Sequence, residues 1–266
     1  MKSILKTVVL FFVGILTIRL FRELMIDRFS TKDFYTFEVE YYVKSFFKGL
    51  NVFFAYFLMK RFNLFNLGGL GKYKLSNWYL LLFPLYIVLL NIPDSGEVAY
   101  DQISITTYMA LAVYTLSVGF SEEYLFRSFL QSFFIRMSNL SKRQVFYGVL
   151  GAAILFGLLH LLKFNKGLYG ELTQVLYGTF IGVMFGALLL RTHKIWPLVI
   201  IHALIDFVAK LDDIIPVSET VENSGGQMNF QGLLITTLIM LPCLIYGLVL
   251  LRKVQPEQLE EKIAKG

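Results

Sequence analysis

A single cysteine, Cys243, stands in the 266-residue chain, so no disulfide can close within it. Charge is scarce too: 17% of residues are charged and 56% are hydrophobic, against about 25% and about 45 to 50% in soluble domains. With a mean hydropathy of +0.62, this argues against a water-soluble globular domain. The short alternating segments of a membrane β-barrel are missing. Long apolar blocks such as 146–162 stand in their place. The excess of bases gives a net charge of +6, but Lys and Arg punctuate the apolar blocks and form no stripe, so no nucleic-acid partner is expected. The chain has neither a GxSxG nucleophile elbow nor an HExxH zinc helix. Lys2 and Lys6 precede an apolar run as in a signal peptide, yet no small-residue cleavage site follows before Ile18, Arg19, Leu20 and Phe21. That run is read as a retained helix.

What is present is a series of apolar blocks of helical length. They predict an all-α, polytopic membrane protein, one integral-membrane domain over 1–266 with about eight spans. The spans fall near 4–22, 46–60, 78–92, 104–137, 145–162, 171–190, 195–210 and 232–251. The fourth is too long for one simple crossing. The mixed, aromatic-rich segment 25–48 reads as a helix lying in the membrane interface. Bases cluster after spans two, four, six and eight, whereas Asp94, Glu97, Asp101, Asp212, Asp213, Glu219 and Glu222 occupy alternate loops. Both termini are therefore expected in the cytoplasm, although the basic loop after span one departs from the pattern. Gly178, Gly182 and Gly186 form a small-residue stripe suited to close helix packing.

Ionisable residues inside apolar blocks are costly and so point to function. Glu122, Glu123 and Arg127 lie in GFSEEYLFRSFL, His160 ends FGLLH, and His202 and Asp206 sit in HALID. Glu123 and Arg127 are one helical turn apart and can neutralise each other. Glu122 points about 100° away around the same helix. His202 and Asp206 share a face, where a carboxylate can orient an imidazole. With a turn near Asn139 to Lys142, Glu122 and His160 each lie about nineteen residues from Ser141 and thus at similar depth. Of the three histidines, His193 falls in a short basic loop and is expected to be a solvated surface residue.

EEYLFR fits EExxxR, FGLLH fits FxxxH and HALID fits HxxxN/D, in that order. In these motifs, carried by a core of about 104–210, the chain resembles the CPBP family of CAAX proteases and bacteriocin-processing enzymes, also called the Abi family. The resemblance implies an intramembrane endopeptidase acting on membrane-associated peptides or proteins. By motif position Glu122 would be the general base, His160 would position the water, and His202 with Asp206 would stabilise the oxyanion. Glu123 and Arg127 would support them. Many relatives carry Asn where this chain has Asp206. No cofactor is favoured, although Glu122, His160 and His202 could form a two-His-one-carboxylate Zn²⁺ site. A bacterial plasma membrane is the expected location. Two other readings stay open: a secondary transporter with an intramembrane Glu/His site, and a membrane scaffold that binds without cleaving.

Overall fold

The structure is a computed structural model describing residues 2–92, 103–138, 140–163, 165–214 and 228–264. Asp94, Glu97, Asp101, Asn139, Glu219 and Glu222, which figured in the loop and turn readings, lie outside the described residues. Every regular element among the described residues is helical. The helices are α1 (Lys2–Phe29), α2 (Phe37–Arg61), α3 (Leu85–Leu90), α4 (Ile105–Glu122), α5 (Ser132–Arg136), α6 (Lys142–Leu158), α7 (Gly167–Thr192), α8 (Trp196–Ala209), α9 (Phe230–Arg252) and α10 (Pro256–Ala264). A π-helix, Glu123–Gln131, lies between α4 and α5.

Among the described residues, four helical stretches are long and apolar enough to cross a membrane: Ile4–Phe29, Lys142–Leu162, Gly167–Thr192 and Phe230–Arg252. Trp78–Leu90 and Trp196–Ala209 are apolar but shorter. The overlong fourth block is resolved into α4, the π-helix and α5. Segment 25–48, expected as an interfacial helix, spans parts of two helices. Its first residues end α1, and α2 starts at Phe37, where Thr36 Oγ1 accepts from the Val39 N–H at 3.4 Å. Glu38 and Glu40 then complement the helix dipole in the first turn.

The described residues cluster into two compact units. The first comprises Met1–Leu58, Phe83–Leu125 and Val199–Pro216. In it α2 and α4 run parallel, because Glu38 meets Thr107, Tyr41 meets Tyr114 and Lys48 meets Glu122 in the same order along both. Ser104 caps α4 by accepting from the Thr107 N–H at 3.1 Å, and Thr107 Oγ1 donates to Glu38 Oε1 at 2.6 Å. Tyr41, Ala110, Leu111 and Ile214 form a buried cluster on which Phe207 and Leu211 pack. On α1, Val9, Leu10, Val13, Leu16 and Leu20 face outward, the polarity expected of a helix solvated by lipid.

The second unit comprises Met59–Leu82, Phe126–Leu198 and Val217–Gly266. Its centre is α7, which packs on α6 and α9 through small residues. A Cβ on Gly182 would fall 2.9 Å from that of Ala153, and one on Gly247 would fall 2.9 Å from the Met184 backbone. Buried Glu171 anchors the approach to α7, its Oε1 accepting from the N–H groups of Asn165 and Lys166 at 2.8 and 2.9 Å.

At the far end of α7, His193 adopts a left-handed conformation (φ 66°) and donates its N–H to the Leu189 carbonyl. His193 is half-buried and is not the solvated loop residue its basic neighbourhood suggested. Lys262 of α10 donates from Nζ to His193 Nδ1 at 2.6 Å and lies 5.2 Å from the centre of the Tyr73 ring. Burial, reinforced by the charges of Lys262 and Arg191, pushes His193 down to about 4. Burial brings Lys262 down to about 8.

Two predictions follow from this packing. Gly247→Val must displace the α7 backbone, so it should cost about 1 to 3 kcal/mol and lower the melting temperature in detergent. Gly49→Ala, whose Cβ would meet nothing within 4 Å, should leave it unchanged or raise it. The second prediction concerns pH. Because the folded pKa of His193 is depressed, the unfolded chain binds more protons between about 4 and 6.5, and stability is lost as pH falls through that window. Hydrogen-exchange protection of residues 256–264, corrected for intrinsic rate, should therefore be full near neutrality and decline on acidification through it. His193→Gln should flatten that dependence.

Candidate active site

The ionisable side chains of the first unit gather at the C-terminal end of α4, and a glycine makes the gathering possible. A Cβ on Gly119 would fall 2.6 Å from the Val199 carbonyl oxygen and 3.3 Å from the Ala203 amide of α8. At that separation the two backbones nearly touch, and side chains one turn on from Gly119 stand beside His202.

Glu123 is fully buried, and its Oε1 lies 2.7 Å from His202 Nδ1. A carboxylate accepts, so Nδ1 carries the hydrogen and donates. The ring is thereby turned so that Nε2 faces two more carboxylates, with Glu122 Oε2 at 3.7 Å and Asp206 Oδ2 at 3.8 Å. Both separations exceed a direct hydrogen bond and suit a bridging water. The other oxygen of Glu122, Oε1, accepts from Lys48 Nζ at 2.7 Å.

The i,i+4 spacing named Asp206 as the partner orienting His202. The structure gives the tight bond on Nδ1 to Glu123 and places Asp206 near the opposite nitrogen. Lys48 was missed altogether at the sequence level. Its signal was there to be read: a lysine inside the aromatic block FFKGLNVFF needs an acid as partner.

His160 belongs to the second unit, in the 3₁₀ turn Leu159–Lys163 that ends α6. Its Nδ1 lies 3.2 Å from the Phe156 carbonyl oxygen and 3.3 Å from that of Gly157. Since carbonyls only accept, Nδ1 donates and Nε2 keeps a lone pair. The ring stands edge-on to Phe156 at 5.2 Å, and a Cβ on Gly178 would fall 3.2 Å from its Cε1. The first member of the glycine stripe thus makes room for an imidazole, while Gly182 packs on Ala153.

Arg127 sits inside the π-helix at 2% exposure, its guanidinium 4.3 Å from the Phe156 ring centre and 5.8 Å from that of Phe185. These are cation–π contacts in a desolvated setting. One ring, Phe156, thus braces both Arg127 and His160. Within the same π-helix Ser128 Oγ donates to the Gly68 carbonyl at 2.7 Å and Gln131 Nε2 to that of Gly186 at 3.1 Å. These bonds fix the wide turns that follow the acid pair, and π-helical turns of this kind concentrate at functional sites. Among the described residues no group of three or more His, Cys, Asp or Glu side chains is arranged to hold a metal ion.

Glu123→Gln should let the His202 ring turn, since an amide can offer Nδ1 either a donor or an acceptor. Activity should fall by about 10-fold or more with little change in melting temperature. Unaltered turnover would remove Glu123 from the orientation of His202.

Residues 104–208 match a family model described as Rce1-like, type II CAAX prenyl endopeptidase Rce1-like. That stretch holds Glu122, Glu123, Arg127, His160, His202 and Asp206. No curated protein and no solved structure matches the chain. The apolar helices are those of a multi-pass membrane protein, and residues 104–208 are similar to the Rce1-like type II CAAX prenyl endopeptidase family.

Proposed function

We propose that this protein is an intramembrane endopeptidase that hydrolyses a peptide bond of a membrane-associated peptide or protein with a water activated by Glu122 and His160. One observation carries the reading. The Nε2 of His202, held by Glu123 at the other nitrogen, faces both Glu122 and Asp206 across gaps of 3.7 and 3.8 Å.

In this mechanism Glu122 Oε2 takes a proton as the water oxygen bonds to the scissile carbonyl carbon. His160, its Nδ1 tied to backbone carbonyls, keeps Nε2 as an acceptor for positioning water. The developing oxyanion is met by the Nε2–H of a protonated His202. Asp206 steadies that imidazolium. The C–N bond then breaks, and the proton on Glu122 passes to the leaving amine. Arg127 acts at a remove, through the Phe156 ring that also contacts His160. The water needs no metal in this scheme. On this reading the protein sits in a bacterial plasma membrane with about eight crossings and both termini in the cytoplasm.

Glu122→Ala and His160→Ala should each reduce cleavage by about 10²-fold or more while insertion and melting stay near wild type. Wild-type turnover by either purified variant overturns the mechanism. Activity should also survive exhaustive chelation. Loss of activity together with stoichiometric bound metal, and recovery on adding Zn²⁺, would replace the metal-free scheme with a metal-activated water.

A further inference from the structure

Lys48 lies outside the matched stretch and outside all three motifs, yet it hydrogen-bonds Glu122. Its Nζ donates to Oε1 at 2.7 Å, while Oε2 is the oxygen nearer His202, at 3.7 Å. The two oxygens of one carboxylate are therefore given different neighbours. The Lys48 side chain is 15% exposed and that of Glu122 22%, so the pair is largely withdrawn from solvent, where a charge-assisted hydrogen bond is strong and a stranded charge is costly.

The position of Lys48 is itself fixed. α2 is held against α4 by Glu38 on Thr107 and by the Tyr41 ring edge-on to Tyr114 at 4.7 Å. Lys44, one turn before Lys48, spans both tyrosine rings, 5.2 Å from the centre of Tyr41 and 5.9 Å from that of Tyr114. The ammonium reaches Glu122 from a braced helix, with little freedom to leave.

We propose that Lys48 is a positioning residue for Glu122: by holding Oε1 it keeps the carboxylate ionised and directs Oε2 to the reacting water. This rests on the reading of Glu122 as general base. Without the ammonium, a largely buried carboxylate next to Glu123 and Asp206 would take up a proton, and its orientation would no longer be set. A lysine that instead anchored the substrate would act on binding and leave the chemical step alone.

The test uses the full-length protein in detergent as wild type, Lys48→Arg and Lys48→Met, with two readouts. The first is independent of catalysis. Dicyclohexylcarbodiimide attacks protonated carboxyls in apolar surroundings, and labelling at Glu122 is mapped by mass spectrometry with buried Glu171 as internal reference. Relative to Glu171, labelling of Glu122 should rise by about tenfold or more in Lys48→Met and stay near wild type in Lys48→Arg. The second readout is peptide cleavage: kcat should fall by about tenfold or more in Lys48→Met with KM little changed, and Lys48→Arg should recover most of it. Equal labelling of Glu122 in wild type and Lys48→Met overturns the proposal, as does a raised KM at unchanged kcat. If Glu171 labelling shows that Lys48→Met does not fold, Lys48→Gln, which keeps a donor without the charge, gives the same comparison. If wild type cleaves no peptide but the labelling follows the expected pattern, the hold of Lys48 on Glu122 is supported and the hydrolytic reading alone falls.

Discussion

A carboxylate that leaves water must be met by a positive charge or by N–H donors, and the first unit is organised around that demand. Two adjacent glutamates stand at the end of α4, and they are met from two directions. Glu122 is met by Lys48 from α2, and Glu123 by the Nδ1–H of His202 from α8. Each bond draws a different helix to the same point. The close approach of Gly119 to Val199 and Ala203 accompanies the second.

The second unit orients its histidine by other means. His160 has no carboxylate on Nδ1. It uses the backbone carbonyls of Phe156 and Gly157 in the last turn of α6, just before the change from α to 3₁₀ turns. Phe156 and Gly178 then set the ring plane, one by edge contact and one by leaving space. The two imidazoles therefore share a logic, Nδ1 anchored and Nε2 presented, reached through different chemistry.

Helix periodicity made much of this legible. It identified the acid pair, both intramembrane histidines and the shared face of His202 and Asp206, because such relations depend only on residues within one turn. What escaped it is long-range. No local pattern could say that Glu123 rather than Asp206 would hold His202 Nδ1, since Glu123 comes from another helix. Lys48 was hidden in a segment read as interfacial, and Gly119 was an unremarked letter in the acid motif. The overlong block 104–137 was recognised as anomalous, but its cause, nine π-helical residues after Glu122, does not register in a search for 3.6-residue periodicity. His193 misled for the converse reason: its basic neighbours in sequence suggested solvent, while Lys262, 69 residues away, covers it.

The hydrogen bond from Lys48 to Glu122 also bears on what counts as the unit of inheritance. The recognisable stretch 104–208 contains every motif residue but not the cation that answers its leading acid, which comes from 56 residues before that stretch begins. Motif and countercharge can therefore drift apart in sequence while remaining bound in space. Grafted alone onto a foreign helical scaffold, the motif-bearing stretch would arrive without the ammonium that Glu122 meets here. Its N-terminal neighbour is thus a chemical part of the site, and the border drawn by sequence similarity is narrower than the border drawn by charge.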